Sequence, residues 1–133
     1  MRLSLDEALE QVRPSMRSTA RYDLQSAADT GYHPRGHYVH RGMLIMEISG
    51  GDMRRIIDEW SRTRETPAGL YLSDGGPGDR PRWTTLDGND CECYCEDWYS
   101  LDIALRWLTE PGTDVGYLYE LDRKAHGRRG GVA

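Results

Sequence analysis

The chain has 133 residues, of which 38 % are hydrophobic and 29 % charged, with a formal net charge of −5. That length fits one domain burying about two-thirds of its unfolded surface, and the negative charge argues against a general nucleic-acid binder, which needs a positive surface for phosphate. Phe is absent, so four Trp and eight Tyr must supply the aromatic bulk, and both types want a polar partner when buried.

The N-terminal stretch MRLSLDEALEQVR carries Asp6, Glu7 and Glu10 in place of an apolar core, so it does not read as a signal peptide. Ser4 followed by Glu7 is a capping box, and Leu5, Ala8, Leu9, Val12 and Met16 recur at helical spacing. Pro14 ends or kinks that helix near Arg13. A second helix is expected from Ser15 to about Asp29, closed by Gly31. Residues 31–42, GYHPRGHYVHRG, read as a loop entering a strand.

Met43 to Ile48, MLIMEI, is a continuous apolar run bounded by turn residues and predicts a central strand. A helix follows from Asp52, with Met53, Ile56, Ile57 and Trp60 on one face, and Thr66-Pro67 stops it. Residues 69–73, GLYLS, make a short strand, and 74–81 a polar loop. Arg82 to Leu86 and Cys91 to Asp97 predict a hairpin around Asp87-Gly88-Asn89-Asp90, the Asp-Gly pair supplying the positive φ of a tight turn. Ser100 is placed to cap a helix with Leu101, Ala104, Leu105 and Leu108 facing inward. Val115 to Leu121 predicts a last strand, with Val115, Tyr117, Tyr119 and Leu121 on one face. From Arg123 the chain is basic and Gly-rich, which predicts a disordered tail. The expected organisation is one α+β domain over 1–122, with a mostly antiparallel sheet of four or five strands and helices on one face, followed by the tail at 123–133.

Cys91, Cys93 and Cys95 alternate with Glu92, Tyr94 and Glu96, so the three thiols share one face of a strand. Their spacing is too close for a disulfide framework stapling distant segments. At ~3.3 Å per residue, Cys91 and Cys95 stand roughly 13 Å apart, too far for one tetrahedral ion to take both. They read as small buried apolar residues. The alternative is a small metal-dependent or thiol enzyme combining this strand with His33, His37 and His40. Pro34 and Gly36 keep those histidines off a helix, and on a strand His37 and His40 face opposite sides. No metal or cofactor is expected, and no catalytic motif stands out.

Charge is segregated. Residues 87–102 hold six acids (Asp87, Asp90, Glu92, Glu96, Asp97, Asp102) and no base, whereas the stretch from 123 holds four bases and no acid. Arg13, Arg17 and Arg21 would align as a stripe on a continuous helix. The acidic ridge suits docking on a basic protein partner, with Asp87, Asp90, Glu92, Tyr94 and Glu96 as the candidate contacts. Nucleic acid and membrane are not the expected partners, since no apolar run approaches the ~20 residues of a bilayer span, and a cytoplasmic location is expected.

The segment DGNDCECYCEDWYSLDIALRWL resembles one found in small proteins of phages and integrative elements. There, an Asp-Asn or Asp-Gly turn precedes a Cys-aromatic-apolar strand, an acid-acid-aromatic step and a short helix ending in Trp-Leu. Cys93, Tyr94, Cys95, Glu96, Asp97, Trp98, Ser100, Ala104, Trp107 and Leu108 fit that pattern. The resemblance implies an accessory protein of a mobile element, a class that includes inhibitors of host defence, and it implies no catalytic residue.

Overall fold

A computed structural model describes residues 1–74, 83–89 and 95–130. The capping box forms at its start: Glu7 N–H donates to Ser4 Oγ at 3.2 Å and Ser4 N–H to Glu7 Oε1 at 3.0 Å, opening α1 (Leu5–Gln11). Pro14 then imposes a single 3-10 turn, Pro14–Met16, before α2 (Arg17–Asp29). Arg13 lies outside both helices and donates to the Arg41 carbonyl at 2.9 Å, so the expected stripe with Arg17 and Arg21 is broken.

Five strands lie in sequence order: β1 (Gly36–His40), β2 (Met43–Ile48), β3 (Leu70–Asp74), β4 (Trp83–Asp87) and β5 (Cys95–Trp98). β1 and β2 join through Arg41 and Gly42, at φ 54° and 75°, the paired positive values of a two-residue hairpin turn. β2 and β3 are parallel, with α3 (Gly50–Thr63) as the crossover, and the other three ladders are antiparallel. The α+β class and the mostly antiparallel sheet match the sequence expectation.

The helices cover both faces of that sheet instead of one. Leu44, Met46 and Ile48 of β2 pack with Ala8, Ala20, Ala27, Met53 and Ile56 of α1–α3 and with Val12 just after α1. Ile45, Leu70 and Leu72 pack with Ile103, Ala104 and Leu108 of α4 (Leu101–Thr109) and with Leu118 of α5 (Val115–Gly130). A strand covered on both sides keeps no solvent-facing alternation, which is the physical reason MLIMEI reads as an unbroken apolar run.

The β4–β5 register corrects the tight turn expected at Asp87 to Asp90. Leu86 pairs with Cys95 and Trp83 with Trp98, not Leu86 with Cys91 as a tight turn there would require, and residues 90–94 lie outside the described residues. The Asp-Gly pair serves another partner. Gly88 N–H donates to the Gly69 carbonyl at 2.8 Å, Thr66 Oγ1 donates to the Gly88 carbonyl at 2.8 Å, and Gly69 N–H donates to Asn89 Oδ1 at 3.2 Å. This docking needs glycine, because a Cβ on Gly88 would stand 2.2 Å from the Pro67 carbonyl oxygen. Gly88→Ala is expected to destabilise the protein by about 1–3 kcal/mol through overpacking against backbone that cannot yield. Urea denaturation measures this, and a variant as stable as the parent would show that the 87–89 segment lifts away freely.

The last strand and the tail are also corrected. Val115 to Leu121 is helical, and α5 continues through Arg123 to Gly130, where a disordered tail was expected. Leu118 and Asp122, one helical turn apart, are its buried residues, while Tyr117 and Tyr119 are exposed. The alternation of aromatics therefore lies across a helix, where the i, i+4 pair sets the inward face. The cap expected from Ser100 does not form, since its side chain makes no cap bond; the Asp122 carboxylate instead accepts the Tyr99 and Ser100 N–H groups just before α4, both at 2.9 Å. His126 stacks on Tyr99 at 3.8 Å. No helix among the described residues is long and apolar enough to cross a membrane.

Candidate functional site

The histidines do not converge. His37 pairs with Met46, on the face covered by α1–α3, while His40 reaches α4 on the other face. His40 Nδ1 lies 2.6 Å from Thr109 Oγ1, and Thr109 donates its own proton to the Leu105 carbonyl at 2.8 Å. A hydroxyl has one proton to give, so Nδ1 is the donor in that contact. His33 is exposed. β1 and β5 are opposite edges of the sheet, four inter-strand steps or about 19 Å apart. Cys95 on β5 is therefore remote from His37 and His40 on β1, and the joint thiol–histidine site expected as the alternative is not assembled by these residues. Cys91 and Cys93 lie outside the described residues. Among the described residues, no three His, Cys, Asp or Glu gather as a metal site.

Of the candidate contacts on the acidic ridge, Asp90, Glu92 and Tyr94 also lie outside the described residues. Asp87 ends β4 and accepts the Asn89 N–H at 2.9 Å. Glu96 is half-buried opposite Thr85, and burial first, then the Asp97 charge, raises its pKa. Asp97 accepts from Thr84 Oγ1 at 2.8 Å.

Three acidic centres went unnoticed in the sequence. Glu47 of β2 is 1 % exposed, and its carboxylate is fully engaged. Arg2 Nε donates to Oε1 at 3.2 Å, the Arg2 terminal nitrogen donates to Oε2, and the Tyr38 hydroxyl donates to Oε1 at 3.0 Å. This closed arrangement fastens the N-terminal segment to the sheet, alongside the Leu3–His37 bridge. Its one sequence signal is a Glu inside an apolar run.

The second centre is a cleft of about 340 Å³ between the C-terminal ends of α2 and α3. Buried Tyr32 and Ile56 line its apolar part, and Glu59, Glu65 and Thr66 its polar part. The last carbonyls of two helices end here, each end carrying partial negative charge. Two arginines nearby lie over rings, Arg55 over Tyr32 at 4.8 Å and Arg64 over Trp60 at 4.4 Å. Among the described residues, Glu59 has a loose, exposed pairing with Arg62 at 3.8 Å. Because Thr66 lines the cleft and also bonds Gly88, the acidic end of β4 abuts it.

The third centre is a cavity of about 70 Å³ between α2, β2, Leu70 and Asn89. Its polar depth is Asp23 of α2, 6 % exposed, and Ala20, Met43, Leu44 and Leu70 form apolar walls. Thr19 and Asn89, both exposed, form the rim. Asp23 makes no hydrogen bond or ion pair among the described residues. Burial, and then the like charge of Asp87, push its pKa up to about 6. In the sequence this Asp is one polar residue in an amphipathic helix, and only the docking of 87–89 against 66–69 turns its position into a closed one.

No family model matches the chain, and no curated protein or solved structure matches it.

Proposed function

We propose that this is a binding protein for a basic protein partner, which seats a cationic side chain in the cleft between the ends of α2 and α3. The observation that carries this reading is the cleft itself: two carboxylates, Glu59 and Glu65, and two helix C-termini around an apolar patch of Tyr32 and Ile56. Negative groups over an apolar surface suit the charged head and methylene stem of Arg or Lys. The abutting acidic end of β4 extends the same complementarity, which favours fast, oriented encounter with a positive surface. The likeness of residues 87–108 to small proteins of phages and integrative elements supports an accessory role in such an element, and a host-defence protein is the partner class that this role implies.

Peptide arrays test the chemistry without knowledge of the partner. Peptides with a central Arg or Lys are expected to bind and their citrulline or acetyl-lysine counterparts to fail. The double variant Glu59→Gln/Glu65→Gln is expected to lose about ten- to a hundredfold in affinity, as removal of one or two charge-assisted hydrogen bonds requires. Equal binding of neutral peptides, or undiminished binding by the double variant, would reject the cleft as the site.

A further inference from the structure

We propose that the Asp23 cavity is a receptor for a primary ammonium group, the end of a lysine side chain presented by the same basic partner. This rests on the reading of a basic partner and adds a second, chemically distinct subsite to it. Three observations converge on an ammonium. Asp23 is 6 % exposed, lines the cavity and has no hydrogen-bond donor among the described residues. A buried carboxylate is stabilised by a donor, and a cationic donor entering the cavity would supply one. Its described neighbours do not supply a donor: Asp87 on β4 is negative, and the Tyr71 hydroxyl on β3 donates to the Ala68 carbonyl at 2.7 Å.

Size and wall chemistry select the ligand. A cavity of about 70 Å³ holds a compact head comparable to about two waters. An ammonium is a point charge with three donors on a thin alkyl stem, whereas a guanidinium is a wide planar fork that needs paired acceptors side by side. Ala20, Met43 and Leu70 offer the stem an apolar channel. Asn89 Oδ1 at the rim accepts one N–H, from Gly69, and keeps a second lone pair for the ligand.

The test is an NMR titration of the full chain with n-butylammonium chloride, with tetramethylammonium chloride and sodium chloride as controls. Butylammonium is expected to lower the Asp23 carboxyl titration midpoint by about one unit or more and to shift the signals of Ala20, Met43 and Leu70. Tetramethylammonium, which cannot donate, is expected to match sodium. Asp23→Asn is expected to abolish the response, and Glu59→Gln/Glu65→Gln to preserve it. No response at the cavity, a response equal to that of tetramethylammonium, or one that survives Asp23→Asn would overturn the proposal, even where the cleft binds basic peptides. A cavity response that requires Asp23 supports the subsite even where the peptide arrays show no basic preference, in which case the cleft reading alone fails.

Discussion

Trp98→Ala is expected to destabilise the protein by about 3–5 kcal/mol, the range for removing a large aromatic from a packed interior. Trp98 is fully buried on β5 and touches both elements that roof its face of the sheet. Its ring stacks on Tyr119 of α5 at 5.0 Å and meets Trp107 of α4 at 6.3 Å. Its Nε1–H donates to Thr85 Oγ1 at 2.8 Å, so the indole is satisfied at its polar end as well as packed at its apolar one. Trp98→Phe separates these contributions. It keeps most of the packing and loses the hydrogen bond, for an expected cost of about 1–3 kcal/mol. Urea denaturation of both variants is the measurement. Equal losses from Ala and Phe would assign the effect to the hydrogen bond and remove the packing argument.

Asp23→Asn is expected to act in the opposite direction and stabilise the free protein at pH 8. Burial and Asp87 raise the folded-state pKa of Asp23 from 3.8 to about 6. The folded protein therefore holds this proton more tightly than the unfolded chain does. Stability associated with the group is fully present below about pH 4, declines as pH rises toward 6, and is lost above that. At one pKa unit per 1.36 kcal/mol the full penalty is on the order of 3 kcal/mol, and the buried amide of Asn, which also wants partners, reduces the gain to about 1–3 kcal/mol. Thermal melts at pH 4 and pH 8 are expected to show the variant's advantage only at pH 8. A destabilised variant at pH 8 would mean that Asp23 has a favourable structural partner, and the cavity would lose its claim to be a binding site.

Local signals in the sequence carried the first half of the fold. The Ser4–Glu7 box, Pro14 and Gly31 are chemical constraints on backbone, and they act wherever they occur. MLIMEI and the Met53–Ile56–Ile57–Trp60 stripe likewise placed β2 and α3. The second half misled because its signals were real but addressed elsewhere. Asp87-Gly88 does make a close backbone approach, yet to residues 66–69 and not to its own strand. The Tyr117–Tyr119 alternation looks like a strand in one dimension, and Leu118 with Asp122 settles the matter only once α4 is there to receive them. The sites were less legible than the fold for the same reason. Glu59 and Glu65 are ordinary helix-end acids until the ends of α2 and α3 meet, and Asp23 is an ordinary amphipathic-helix residue until Asn89 arrives beside its cavity. The notable exception is Asp87, whose place in the acidic run was readable and which the fold brings to the edge of both centres.

The acceptor that Asp122 supplies to the Tyr99 and Ser100 N–H groups also sets an order in time. The layer formed by α1, α2 and α3 closes with residues made early. The Tyr99 and Ser100 N–H groups that lead into α4 have no acceptor, and Trp98 has only half its roof, until the chain as far as Tyr119 and Asp122 has emerged and wound into α5. A nascent chain thus passes through a stage with one finished side and one open, greasy side. The residues that end this exposure follow every strand of the sheet in chain order.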